Sequence, residues 1–309
     1  MGAHCADPRT VPPVTAPAHP RPARPVAAPS AEAGLPILKW VGGKSRLLPR
    51  LTEHYDEQAT VIEPFFGGGA LSFHLAAQRP DLRVVANDQI SPLIDIYQAV
   101  RDDVEAFIAD VDHYALPYLA LDGKDARRAF YYQLREQYMT SAVDGPAPLF
   151  FMLWCAYSGL YRTGKKYPGR FNTSHGFGAE KPDFYHADRL RSAAAHMATW
   201  QFSAGDFMQA LDATGTDTFV LLDPPYRGTY TGYTGDGFDE ADQLRVVEFF
   251  KAADARGAKV VYTNKYTADG YYEQHFAGYR IDTASIRYQV NRNCADVGRP
   301  ETLEVIISN

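Results

Sequence analysis

Residues 60–88 read TVIEPFFGGGALSFHLAAQRPDLRVVAND, and the fold turns on how this stretch is divided. TVIEP is a short apolar run of strand type, FFGGG a glycine turn, ALSFHLAAQ a helical pattern and LRVVAND a second strand. Strand, turn, helix and strand at this spacing make a βαβ unit, which predicts a parallel sheet. The rhythm returns late in the chain. TFVLLDPPY, residues 218–226, has the continuous apolar character of a strand buried on both faces. An amphipathic helix over residues 239–257 stops at Gly257, AKVVYTN follows as the next strand, and GYRIDTASI and ETLEVIISN read as a closing pair.

Between the two α/β blocks, residues 116–199 have a different character. They offer helical patterns such as DARRAFYYQLREQYM and PLFFMLWCAYSGL and then a loop rich in Gly, Tyr and basic residues. The division expected is therefore a Pro/Ala-rich arm over residues 1–34, a first α/β block over 35–115, an inserted helical lobe over 116–199 and a second α/β block over 200–309. The arm has no aromatic residue and too little apolar surface to offset its ordering entropy, so it reads as disordered.

Composition narrows the class. With 309 residues, 46% of them hydrophobic, the chain can bury a large core, and no apolar run approaches the roughly 20 residues that span a bilayer. Cys5, Cys155 and Cys294 are far apart and form no CxxC pair, which argues against disulfides and structural zinc and for a cytoplasmic protein. The net charge of -6 speaks weakly against a polyanionic partner, yet Arg162, Lys165, Lys166 and Arg170 cluster without an acid among them. Distribution outweighs the sum.

Candidate chemistry sits where the strands end. Gly67 and Gly69 let backbone approach a ligand at a helix N-terminus, and Asp88, about 20 residues on, stands where a carboxylate accepts from both hydroxyls of a ribose. A dinucleotide fingerprint needs a further glycine at position 70 or 72, but these are Ala70 and Ser72, so a nucleoside cofactor without a pyrophosphate fits better. In LKWVGGKSRLL, residues 38–48, Trp40 offers a flat wall, and Lys39 and Lys44 two cations, of which Lys44 suits a cofactor carboxylate. At the end of the late strand, the Asp223 carboxylate and the Pro224 carbonyl are two acceptors facing one point, which suits an aromatic amine. Holding both its hydrogens aims the nitrogen lone pair at an electrophile, while Tyr226 stacks the base. The electrophile expected is the methyl of S-adenosylmethionine.

The order KWVGGK, EPFFGGGA, DPPY resembles the Dam-like class of DNA adenine methyltransferases, over residues 35–309. The resemblance implies a doubly wound, Rossmann-like methyltransferase sheet with an inserted, mainly helical target-recognition lobe. It places Trp40, Lys44, Asp88 and Asp223 at the methyl-donor site, with Asp206 and Phe207 of AGDF around the donor's adenine. It also implies duplex DNA as partner, with an adenine flipped out and methylated at N6. The segment YSGLYRTGKKYPGRFNTSHGFG is similar to the family's DNA-reading loop: Arg162 falls on a guanine edge, and Lys39, Lys165, Lys166 and Arg170 are candidate phosphate contacts. Ser158 departs from an asparagine common in readers of GATC, so that site does not follow. Arg287 and Arg292 lie near the flipped strand in this reading, or else pair with Glu301 or Glu304. No metal is called for, and a cognate restriction endonuclease is a possible partner. The alternatives are a cytosine-N4 DNA or adenine-N6 RNA methyltransferase, or a catalytically silent DNA-binding relative.

Overall fold

The computed structural model describes residues 34–164, 166–176, 184–228, 237–286 and 302–309. The arm expected over residues 1–34 thus lies, but for Gly34, outside the described residues, as do Lys165, Arg287, Arg292 and Glu301.

A 3-10 turn, Lys44–Arg46, leads into α1 (Leu48–Thr52), and the βαβ unit follows as β1 (Thr60–Glu63), α2 (Ala70–Ala76) and β2 (Arg83–Asp88). Four helices follow, α3 (Ser91–Asp102), α4 (Val104–Ala120), α5 (Lys124–Met139) and α6 (Pro146–Cys155). A small hairpin, β3 (Thr163–Gly164) with β4 (Tyr167–Phe171), precedes α7 (Ala187–Met197). The second block holds β5 (Gln201–Ala204), β6 (Thr218–Leu222), α8 (Glu240–Ala255), β7 (Lys259–Lys265), α9 (Tyr271–His275), β8 (Arg280–Ile286) and β9 (Thr302–Ser308). No helix among the described residues is long and apolar enough to cross a membrane.

The large sheet is ordered β5-β2-β1-β6-β7-β9-β8. All its neighbours pair in parallel except β9, which runs against both β7 and β8. The doubly wound, Rossmann-like class is therefore borne out. Successive residues of a strand face opposite sides, and here both sides are covered. Val61, Phe219, Leu221, Val261 and Ile306 enter one apolar cluster, whereas Ile62, Val220, Leu222, Val260 and Ile307 enter the other. This two-sided burial is why 218–222 reads as an unbroken apolar run.

Helix ends follow local chemistry. Asp239 and Asp242 form a reciprocal capping box that starts α8. Helix α6 buries every residue from Ala147 to Cys155, so apolar residues surround it and no amphipathic stripe is needed. It packs against α4, α3 and α5, and Phe150 lies 5.2 Å from Phe107 and 6.3 Å from Tyr185. The same cluster contains Val61 and Val84 of the sheet. α4 passes straight through position 115, where the sequence suggested that the lobe begins.

Because lobe and sheet share one cluster, they are expected to unfold together. Phe150→Ala removes a ring with no exposure, at a cost of about 3 to 5 kcal/mol. Denaturant unfolding followed by fluorescence of Trp154 and by circular dichroism should show one transition moved to lower denaturant. Two separated transitions in the parent chain would disprove the shared core.

Candidate active site

The carboxyl ends of β1, β2, β5 and β6 border a cavity of about 610 Å³. Every cofactor-site and catalytic residue expected from the sequence lines it, from Trp40 and Lys44 to Asp88, Asp206, Phe207 and Tyr226. The glycine turn forms its floor. Gly67 and Gly69 have φ of 49° and 63°, which L side chains rarely adopt. A Cβ on Gly67 would stand 2.8 Å from Trp40 Nε1, so the indole lies directly against that backbone, and one on Gly69 would run into the Phe66 ring. Tyr97, buried in α3, donates to the Gly67 carbonyl at 2.8 Å and fixes the turn from beneath.

Asp88 ends β2. Its Oδ2 accepts from Gly67 N at 2.9 Å and its Oδ1 from Ile90 N at 3.0 Å. Burial raises its pKa, and the backbone donors oppose that shift. Each oxygen keeps lone-pair capacity for a hydroxyl donor. Nearby, Phe65, Phe207 and Phe238 converge, with Phe65 and Phe207 centroids 4.9 Å apart and Phe238 5.9 Å from Phe65. Asp206 caps the turn that carries Phe207 by accepting from Met208 N, and Arg245 holds its other oxygen at 2.6 Å while lying 4.8 Å over the Phe207 ring. Asp206 is thus spent on shaping the aromatic slot.

At the tip of β6, Asp223 Oδ1 receives Lys44 Nζ at 2.6 Å and Thr263 Oγ1 at 3.0 Å. Lys44 also donates to the Tyr226 hydroxyl at 3.0 Å, and Tyr226 donates in turn to Glu304 Oε1 at 2.5 Å. Lys44, expected to meet a cofactor carboxylate, lines the cavity with its ammonium turned toward the DPPY segment. Pro225 O accepts from Gln243, and Arg227 N donates to Asn264, which pin this segment to α8 and β7. Burial raises the pKa of Asp223, with Lys44 opposing, and pushes Tyr226 far up.

The basic residues of the lobe part company. Arg162 is exposed and donates only to the Asn172 carbonyl among the described residues, at 3.1 Å, and Lys166 is exposed beside Tyr167. Arg170, a candidate phosphate contact in the sequence, is bound by both oxygens of Asp144, at 2.9 and 3.0 Å, and lies 5.1 Å over Tyr138. Lys39 stands outside the cavity, 4.5 Å over Trp154.

Sequence reasoning missed Glu63. It ends β1, is buried, and its Oε1 accepts from Ser72 N at 3.0 Å and Ser72 Oγ at 2.5 Å while the residue lines the cavity. Burial raises its pKa to about 7. An acid closing an apolar strand was the available signal. Glu304 carried a related signal, a lone acid within the otherwise apolar or neutral strand TLEVIIS.

Against known proteins, residues 40–292 match the family model described as D12 class N6 adenine-specific DNA methyltransferase. The type II methyltransferase M.MjaIII of Methanocaldococcus jannaschii is 29% identical over 290 residues, covering 89% of this chain and 98% of its own. The type II methyltransferase M1.LlaDCHI of Lactococcus lactis subsp. cremoris is 30% identical over 243 residues, 74% and 80% of the two chains. A DNA adenine methylase of Vibrio cholerae is 25% identical over 275 residues, 86% and 94% respectively.

The buried Glu63 carboxyl yields a pH dependence. Its folded pKa lies above the unfolded value of 4.5, so the folded chain holds more protons between pH 4.5 and about 7. Stability contributed by this group therefore falls as pH rises through that window. Glu63→Gln keeps an acceptor for Ser72 and removes the titration, so denaturant unfolding should show a shallower fall from pH 4.5 to 7. An unchanged slope would show that Glu63 ionises as if exposed.

Proposed function

The chain belongs to the D12 class N6 adenine-specific DNA methyltransferases, and from that premise we propose how its cavity binds a methyl donor and a flipped adenine. The observation that carries the reading is that Asp88 and Asp223, at the tips of two parallel strands, open on the same cavity. The enzyme methylates adenine N6 in DNA, as its family does. Methyltransferases of this kind use S-adenosylmethionine, which supplies an electrophilic methyl on a sulfonium.

The residues present fit that donor. The cavity is lined by the glycine turn, by the Asp88 carboxylate with lone-pair capacity left on both oxygens, and by Phe65, Phe207 and Phe238, and its volume lies within the roughly 300 to 1,000 Å³ typical of small-molecule sites. Asp88 would take the ribose hydroxyls, and the slot of Phe65, Phe207 and Phe238 the adenine ring. Trp40 walls the cavity over the glycine turn.

On the other side, Asp223 and the Pro224 carbonyl would accept the two hydrogens of the target amine, with Tyr226 against its ring. Asp223 would stabilise the positive charge that develops on N6 as the amine takes the methyl. A carboxylate is far too weak a base to deprotonate a neutral aromatic amine, so the proton leaves only after the nitrogen has become cationic. For DNA, Arg162 is the proposed base reader and Lys39, Lys165 and Lys166 the proposed backbone contacts. Arg170 is proposed to brace the hairpin. The protein would act where the DNA lies, in the cytoplasm, and a restriction endonuclease of the same site is a proposed partner.

Sequencing of modified bases in DNA from cells expressing the chain should show N6-methyladenine at one short site, and unmodified DNA would refute the reading. Asp88→Ala should weaken binding of S-adenosylmethionine in calorimetry and leave DNA affinity nearly unchanged. Equal donor affinity would remove Asp88 from the site. Asp223→Asn turns an acceptor into a donor facing the amine, and single-turnover methylation should fall about 100-fold or more. A parental rate in a variant that still binds donor and DNA would exclude the mechanism.

A further inference from the structure

We propose that Glu304 is a positioning residue for methyl transfer, engaging Lys44 through the Tyr226 hydroxyl so that the negative charge of Asp223 stays available to the target amine. The proposal rests on the reading of the cavity given above.

The ammonium of Lys44 has three hydrogens and three acceptors: Asp223 Oδ1 at 2.6 Å, the Tyr226 hydroxyl at 3.0 Å and Gly42 O at 3.2 Å. It is buried, with 4% exposure, so solvent screens none of these contacts well. Left alone with Asp223, it would form a neutral pair. A neutral pair is a poor partner for a nitrogen that becomes cationic, because the lysine repels the charge that the carboxylate attracts. Glu304, with no exposure, lies one hydroxyl away from Lys44, and Tyr226 Oη donates to it at 2.5 Å. Lys44, Asp223 and Glu304 then carry a net negative charge where the transition state is positive.

The neighbouring groups agree. Burial raises the pKa of Glu304, Lys44 opposes that shift and Asp223 adds to it, so the two carboxylates sense each other. Asp223 faces Lys44 from the turn before α1, Thr263 from β7 and Tyr226 from its own segment, and Glu63 from β1 also senses both Asp223 and Lys44. Nothing in DPPY itself would call for an acid on β9, and Glu304 is the only charged residue within that strand.

Single-turnover methylation of the mapped DNA site, followed across pH, tests this. Glu304→Gln keeps the size and an acceptor for Tyr226 and removes the charge. Its rate should fall about tenfold or more, the scale of a charged hydrogen bond, while donor and DNA affinities stay within about twofold. Its acid limb should also move to lower pH, since Asp223 loses a like-charged neighbour. Glu304→Asp, worse in shape but still charged, should retain more activity than Gln. Tyr226→Phe breaks the link without touching Glu304, and should slow the step and shift the limb the same way if the Gln variant does not fold. A parental rate for Gln, an unmoved acid limb, or a charged Asp slower than Gln would each overturn the proposal. Methylation by the parent chain, measured first, tests the proposed function separately.

Discussion

Lys44, which is buried, and Asp223, half-buried where it borders the cavity, meet at 2.6 Å, and the site is organised around that pair. A buried ion pair is weak evidence for stability, since removing two charges from water costs several kcal/mol per ion before their attraction is counted. What the pair does is geometric. It ties a turn outside the sheet to the tip of β6, and with that turn comes Trp40, whose indole lies on the Gly67 backbone. One contact thereby joins the glycine turn at one side of the cavity to the tip of β6 at the other. Position 67 has to be glycine, because its φ is positive and the indole leaves no room for a Cβ there.

Much of the fold was legible because it depends on local pattern. The βαβ unit, the doubly buried run at 218–222, the capped helix that follows it and the closing strands all announce themselves through periodicity and turn residues. Asp88 and Asp223 at the cavity were legible for the related reason that parallel strands end where ligands bind, although Glu63, at the end of β1, was not picked out. What stayed hidden depends on three-dimensional proximity. Nothing in KWVGGK says that Lys44 points at Asp223, a contact between residues 179 positions apart in the chain. Nor does the change of composition near residue 116 reveal that α4 is continuous there and that α6 shares a core with the sheet.

The basic hairpin makes the same point at the level of single residues. Arg162 and Arg170 sit eight positions apart in one cationic segment and are equivalent to any reading of charge. The fold separates them: β3 and β4 turn Arg170 toward Asp144 and Tyr138, so its guanidinium is committed both to a carboxylate fork and to a ring face, while Arg162 stays outward. A phosphate would have to compete with the Asp144 fork for this guanidinium, whereas Arg162 gives up only a carbonyl contact. Sequence charge counts cations, and the fold decides which of them remain available to DNA.

The direction of β9 explains how the last strand of the chain reaches the site. Parallel strands present their carboxyl ends at the cavity, so a further parallel strand would offer only its final residues there. β9 runs the other way, and its register sets Glu304, third in the strand, opposite Lys265 at the end of β7. An antiparallel strand brings its beginning to the edge where its neighbours end. The remaining apolar residues, Val305 to Ile307, then lie deep in the sheet and anchor the strand on both faces. Reversal of one strand thus places a buried carboxylate beside Tyr226 at a position that the core itself holds in register.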